Sequence, residues 1–347
     1  MLPSLNFSKK DPKFNLLNKV FKYIDNKKAM IIYGRNGIKN IPMMVICIKI
    51  IFMAFYFDYP VSKLIDELNR DSRLKKFLNI DGDVPKDSQV YEYISRYSAD
   101  KFVNIANSLL KICNKNNRNP YKKYIVDGMG VECDINHIKQ YISSERLEKL
   151  KLNWGYSTTK GHFIGFKVTV VLDEKTLVPV SILIHSGAPN DAKLFDQILK
   201  ELKRRRITKP KNMLLFDKGY YSYENFNIGI NQYQVICIIF PKSTFDIEKL
   251  EQKLSYPLDV FKKKKEIEEN KSLYKELKRL LLNKIKDWKE FKPIRGKIED
   301  FFKVTKEAFG LDKLHKYTDE SVTKHVYLAI LLTTIVIQQG YNTKTRM

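Results

Sequence analysis

KKYIVDGMG, residues 122–130, sets Tyr124, Ile125 and Val126 directly before Asp127, Gly128 and Gly130. An unbroken run of aromatic and β-branched residues favours a buried strand. An acid followed closely by glycine marks where such a strand ends. The same pattern returns as NMLLFDKGY, residues 212–220, where an apolar run again ends on an acid, Asp217, with Gly219 close behind. Between them lie HFIGFKVTVVLD (162–173) and LVPVSILIH (177–185), two β-rich runs joined at Asp173-Glu174-Lys175-Thr176, a hairpin signal. Asn190-Asp191 can cap a helix whose Leu194, Phe195, Ile198, Leu199 and Leu202 lie on one face. ENFNIGINQ (224–232) predicts a short helix and YQVICIIFP (233–241) a fifth strand.

Outward from this block the period changes. From about Ile41 to Cys113 apolar residues recur every three or four positions, a helical pattern, with helix starts at Pro60-Val61-Ser62 and Pro85-Lys86-Asp87-Ser88. The polar run Asn114 to Pro120 reads as a linker. Lys242 to Glu290 is rich in Lys and Glu at helical spacing. A helix from about Pro293 to Phe309, stopped by Gly310, and a nearly all-apolar helix near Val322 to Ile337 follow. This order predicts an α/β fold: a ribonuclease-H-like mixed sheet flanked by helices, preceded by an all-helical domain and interrupted by a helical insertion. The expected divisions are residues 1–118 (helical), 119–240 with 291–347 (the α/β domain) and 241–290 (the insertion).

The chain has 347 residues, 44% of them hydrophobic, and a formal net charge of +24. Such a chain can bury a core and is drawn to polyanions, nucleic acid first among them. Lys, Ile, Asn and Tyr in excess also follow from AT-biased codons, so charge needs support from motifs. Cys47, Cys113, Cys133 and Cys237 are scattered, without metal-ligand spacing, and fit a reducing cytoplasm. The N-terminal residues lack the apolar core of a signal peptide. Pro42 to Phe57 is interrupted by Lys49, and Val326 to Ile337 is short of the about 20 residues a bilayer needs. Both read as buried helices, and no membrane partner is expected.

Phosphodiester chemistry at neutral pH needs an activated oxygen nucleophile and charge stabilisation at phosphorus. Two Mg²⁺ ions about 3.5–4 Å apart supply both, and hard cations prefer carboxylate oxygen to Cys or His. Asp127 and Asp217, in matching contexts, are candidate ligands; an Asp after a strand also simply forms turns. On a helix, at about 100° per residue, Arg295, Glu299 and Lys306 lie within roughly 40° of one another, opposite Ile294, Ile298, Phe301, Val304 and Ala308. Glu299 is then the third acid, with Arg295 and Lys306 able to meet phosphates. The competing explanation is a plain Arg–Glu surface pair. Asp300 is a rival ligand turned about 100° away. Glu132 and Asp134 lie near Asp127 in sequence but also suit a solvated strand edge. Lys262 to Lys265 with Glu266, Glu268 and Glu269 suits a solvated helix face or a DNA-facing one, and Arg204-Arg205-Arg206 suits a helix end. Neither a phosphate-binding Gly-x-x-x-x-Gly-Lys-Ser/Thr loop nor a His-Glu-x-x-His zinc motif is present.

Asp127, the Asp217-Lys218-Gly219-Tyr220 run and Arg295-x3-Glu299-x6-Lys306 together resemble insertion-sequence transposases of the IS4/IS5 type. That family's signature is Tyr-x2-Arg-x3-Glu-x6-Lys, and its tyrosine position holds Lys292 here. GFKVTVVLD (165–173) and HSGAPNDAKLFDQIL (185–199) resemble the segments between the first two acids. The likeness covers roughly Tyr121 to Tyr341, and more weakly Pro42 to Ile112. It implies a cut-and-paste DNA transposase in which Asp127, Asp217 and Glu299 hold two Mg²⁺, with Mn²⁺ as a substitute. It further implies hydrolytic cleavage at transposon ends and attack of the freed 3′-hydroxyl on target DNA. Arg295, Lys306, Lys292, Lys218 and Tyr220 would touch DNA, and the N-terminal helices would read terminal inverted repeats within a homodimer. A metal-dependent nuclease on the same scaffold, or a domesticated DNA-binding relative without catalysis, are the alternatives.

Overall fold

The structure is a computed structural model that describes residues 12–340 apart from 58, 114–120, 141–142, 151, 158–160 and 257–263. The linker expected at Asn114 to Pro120 lies outside the described residues, as do Lys262 and Lys263. The chain forms two compact units interleaved in sequence: Met1–Asn114 with Cys133–Lys151 and Phe302–Met347, and Lys115–Glu132 with Leu152–Phe301.

The first unit is helical: α1 (Pro12–Ile24), α2 (Lys27–Arg35), α3 (Ile41–Phe57), α4 (Val61–Arg70), α5 (Ser72–Phe77), α6 (Asp87–Ser95), α7 (Ala99–Cys113), and the short α8 (Ile135–Ile138) and α9 (Ser144–Lys149). The C-terminal helix Asp319–Gln338, numbered α15, packs along α7 and touches α1. Helix α3 is apolar on nearly every side and is therefore surrounded. Phe21 of α1 meets Phe52 edge-on at 6.1 Å, and Phe52 also lies 5.6 Å from Phe309. Lys49, the single charge in α3, is 2% exposed. Its ammonium is held by the Asp25 carboxylate at 2.6 Å and the Leu78 carbonyl at 3.2 Å. Helix α15 is long and apolar enough to cross a bilayer, yet most of its apolar window is buried against protein. Both apolar stretches are core helices, as their sequence suggested.

The second unit is built on a mixed sheet. Its strands are β1 (Lys123–Cys133), β2 (Asn153–Ser157), β3 (Gly161–Asp173), β4 (Pro179–Ser186), β5 (Met213–Phe216) and β6 (Ile236–Ile239). The order is β2-β3-β1-β5-β6, with β4 continuing the outer edge of β3 beyond β2. Pairings among β1 to β4 are antiparallel, whereas β1, β5 and β6 run parallel. Parallel strands need crossover helices, and these are α10 (Asp191–Arg204) and α11 (Tyr223–Asn231). Asn190 caps α10 by accepting from the Ala192 amide, and Phe195 of α10 lies 4.9 Å from Phe216 of β5. The β3–β4 hairpin closes on Asp173, whose buried Oδ1 accepts from the Lys175 and Thr176 amides. The insertion is helical, α12 (Ile247–Lys253) and α13 (Lys264–Lys286), with α13 packed on β6. Helix α14 (Lys292–Phe309) follows, and Gly310 ends it at φ 62°. This is the ribonuclease-H-like α/β arrangement that the sequence order predicts.

One local expectation fails. Asp127 does not close its strand; β1 continues through it to Cys133. The parallel partner β5 ends at Phe216, but antiparallel β3 stays in register from Asp127↔Val170 to Glu132↔Gly165 and keeps the backbone extended.

Candidate active site

The β1–β5 register pairs Val126 with Phe216, so the next residues on the two strands, Asp127 and Asp217, stand side by side. Asp217 ends β5 and opens a single 3₁₀ turn, Lys218–Tyr220. Helix α14 brings the third acid. Ile298 and Phe301 are buried on its inner side, and Lys297 binds the Glu174 carboxylate at 2.6 Å and its carbonyl at 3.3 Å. On a helix so held, Arg295 faces the two aspartates and Glu299 lies one turn along from it.

Arg295 gathers all three acids. It donates to Asp127 Oδ2 at 2.9 Å, lies 3.6 Å from Asp217 Oδ1, and hydrogen-bonds Glu299 Oε1 one turn along its own helix. Exposure rises outward: the side chain of Asp127 is 16% exposed, that of Asp217 31%, and that of Glu299 59%. Asp127 Oδ1 also accepts from the Gly128 amide at 2.8 Å. Burial pushes the Asp127 carboxyl up to about 6, with the Asp217 and Asp191 charges adding to it and Arg295 and the Gly128 amide opposing. Burial alone would lower the Arg295 guanidinium, but the three carboxylates outweigh it and hold its pKa above the usual value.

Behind the acids lies a second charged pair. Lys167 of β3 reaches Asp191 at 2.6 Å and donates to the Pro189 carbonyl at 3.1 Å. Its chain passes directly over Gly128, where a Cβ would stand 2.8 Å from Lys167 Cε. Asn225 donates to the carbonyls of Ala192 and Tyr220, tying α10 to the turn after Asp217.

The remaining sequence candidates are placed as follows. Lys218 is exposed beside Asp217. Tyr220 is fully buried with its ring 5.1 Å from Phe216, so it anchors the turn and has no face toward a DNA backbone. Lys292 is exposed over the Trp288 ring at 4.9 Å. Lys306 lies two turns beyond Glu299 on α14, half-buried. Asp300 is exposed, and Asp134 is held by Lys313 at 3.1 Å in the helical unit. Sequence reasoning missed the Lys167–Asp191 pair and the Lys297–Glu174 tether. Their signal was faint: Asp191 was visible only as a helix start.

Residues 118–335 match the family model described as the transposase DDE domain. The chain belongs to that family. Asp127, Asp217 and Glu299 all lie within the matched residues. No curated protein matches the transposase chain.

Among the described residues, no group of three or more His, Cys, Asp or Glu side chains stands ready to hold a metal ion; the three acids converge instead on Arg295. Their chemistry nonetheless fits hard divalent cations: oxygen donors only, graded from buried to exposed, with charge in excess of the one guanidinium.

Proposed function

We propose that the protein is a DDE transposase whose Asp127, Asp217 and Glu299 hold two Mg²⁺, or Mn²⁺, for cleavage at transposon ends and strand transfer into target DNA. The observation that carries this reading is the convergence of acids from β1, the end of β5 and α14 on a single guanidinium. Held by these carboxylates, such ions would supply activation of the attacking oxygen and charge stabilisation at the phosphoryl group. Asp127 would serve as a ligand in its ionised form, so protons should compete with metal for it. Arg295, released from the acids it now bridges, is placed to take a phosphate of the transposon end through its forked donors. Lys218 and Lys306 supply further cations, Lys292 stands at the tyrosine position of the IS4/IS5-type signature, and Tyr220 holds the Asp217 turn from within.

The DNA partners in this reading are the duplex inverted repeats at the element's ends and the target duplex. The helical unit reads the repeats, and two copies pair two ends, on DNA in the cytoplasm. The test is cleavage of DNA carrying the element's own ends by purified protein with Mg²⁺. Asp217→Ala should abolish it while leaving metal-free DNA binding intact; surviving cleavage would remove these acids from the site. A strand-transfer assay separates a transposase from a nuclease on the same fold. Binding without cleavage by the wild type would mark a relative that has lost catalysis.

A further inference from the structure

Backbone pairing between β1 and β5 runs from Lys123↔Met213 to Val126↔Phe216 and stops one residue short of the two aspartates. Asp127 continues along β3, whereas Asp217 leaves the sheet for its 3₁₀ turn. Past Val126 and Phe216, no ladder hydrogen bond between these strands sets the distance between the acids. Tertiary contacts set it instead. Arg295 bridges the two carboxylates on the face that Asp127 shares with its partner Val170. Alternation along the strands puts Gly128, Thr169 and Lys167 on the other face.

On that other face a continuous line of contacts joins the surroundings of one acid to those of the other. Gly128 has no side chain, and the Lys167 stem takes the space: a Cβ on Gly128 would stand 2.8 Å from Lys167 Cε. The ammonium reaches Asp191 Oδ1 at 2.6 Å. The second oxygen of that carboxylate lies against Gly219, two residues after Asp217, where a Cβ would stand 2.9 Å from Asp191 Oδ2. The pair thus spans from the residue after Asp127 to the turn that carries Asp217. Both of its ends are fixed. Lys167 also donates to the Pro189 carbonyl at 3.1 Å, and Asn190 caps α10 directly before Asp191. Asn225 donates to the Ala192 and Tyr220 carbonyls and ties the turn to α10 a second time.

The Lys167 and Asp191 side chains are 12% and 29% exposed. A pair this desolvated returns little net stability over apolar side chains of the same shape. Its distinct contribution is directional, since an ammonium and a carboxylate hold one geometry where apolar groups slide.

We propose that Lys167 and Asp191 are positioning residues: their ion pair is a crossbar that fixes the spacing of Asp127 and Asp217, and through it the fit of divalent ions at those acids. This rests on the reading of the acids as metal ligands.

The test is Mn²⁺ binding to the full metal-free chain by isothermal titration, beside urea unfolding in EDTA. Lys167→Met/Asp191→Leu removes one charge of each sign, so the net charge near the acids is unchanged. That variant should unfold close to the wild type yet bind Mn²⁺ roughly 10–100-fold more weakly, as when a group that orients a metal ligand is lost. Asp191→Glu keeps both charges but has no room for the extra methylene beside Gly219, and should weaken Mn²⁺ binding at least about threefold through misplacement alone. Asp25→Ala, which destabilises the helical unit, should bind Mn²⁺ as the wild type does. Wild-type affinity in either crossbar variant would overturn the proposal, as would an equal loss in Asp25→Ala, because affinity would then follow stability. If Asp217→Ala loses Mn²⁺ while Lys167→Met/Asp191→Leu keeps it, only the crossbar falls. If Asp217→Ala binds Mn²⁺ as tightly as the wild type, the metal-site reading falls and the crossbar with it.

Discussion

Replacing Asp127 by asparagine should stabilise the metal-free protein at pH 8 while ending its catalysis. The carboxyl is held at about 6 in the folded chain against an ordinary 3.8. Between these values the folded state keeps a proton that the unfolded state has released. Stability therefore falls as pH rises from about 4 to about 6, and the full cost persists above that window. The gap corresponds to about 3 kcal/mol. That figure already contains the attraction of Arg295, which is among the causes acting on the group. Asparagine keeps the shape of the neutral acid and carries no charge to desolvate, so it removes the cost. Urea unfolding in EDTA should show the variant more stable by about 3 kcal/mol at pH 8, or about 6–12 °C in Tm for a domain of this size. The difference should shrink toward zero near pH 4, where the wild-type acid is protonated in both states. Added Mg²⁺ should raise the Tm of the wild type and do far less for the variant. A variant less stable than the wild type at pH 8, or a difference independent of pH, would refute the claim that burial of this carboxylate is costly.

Three other perturbations test the scaffold. Asp191→Leu leaves the Lys167 ammonium, 12% exposed, without its partner, and should cost about 3–5 kcal/mol in chemical denaturation. Adding Lys167→Met should restore most of it, and a strictly additive double variant would show that the pair does not interact. Asp25→Ala likewise strands Lys49 inside α3 and should cost about 3 kcal/mol, with Lys49→Met as the rescuing partner. Lys297→Ala cuts the tether to Glu174. Lys297 is 39% exposed, so stability should drop by about 1 kcal/mol or less, yet cleavage at saturating Mg²⁺ should slow about tenfold because α14 aims two site residues. A rate equal to wild type would show that packing alone orients the helix.

The parts of the fold written in local pattern were legible in the sequence. Asn190 caps α10 as its position suggests, Asp217 follows a buried strand, and α14 stops at Gly310. Asp127 was found for a partly mistaken reason. A strand's end depends on its neighbours, and antiparallel β3 carries β1 past the point where β5 gives out. Residues 134–157, holding α8, α9 and β2, gave no periodic signal because their elements are short. Lys167 and Asp191 lie far apart in sequence on different elements, so only the fold reveals their contact. Arg295 was expected to face phosphate, and its spacing to Glu299 showed one turn of a helix but not the two aspartates on the neighbouring strands.

On the proposed reading, the arrangement around Arg295 would let one site be stable without metal and still take metal. Three carboxylates facing one guanidinium leave an excess of two negative charges when all are ionised. The folded chain meets part of that excess by holding Asp127 toward its protonated form, and the rest lies outward, on Asp217 and Glu299, where water screens it. Asp127, Asp217 and Glu299 would offer divalent cations the same oxygens that Arg295 bridges, and two such ions would supply more charge than the guanidinium can. With metal bound there, Arg295 would be free of the acids and would face a site whose net charge has changed sign, beside which a DNA phosphate would be favoured. Metal and DNA should thus bind with positive coupling, and Arg295 should carry part of it. In Arg295→Gln, Mg²⁺ should bind at least as tightly as in the wild type, because a competitor for the carboxylates is gone, while the enhancement of DNA affinity by metal should shrink. Metal binding weakened as strongly as DNA binding would show that the guanidinium is a structural strut for the acids and not their exchangeable counter-ion.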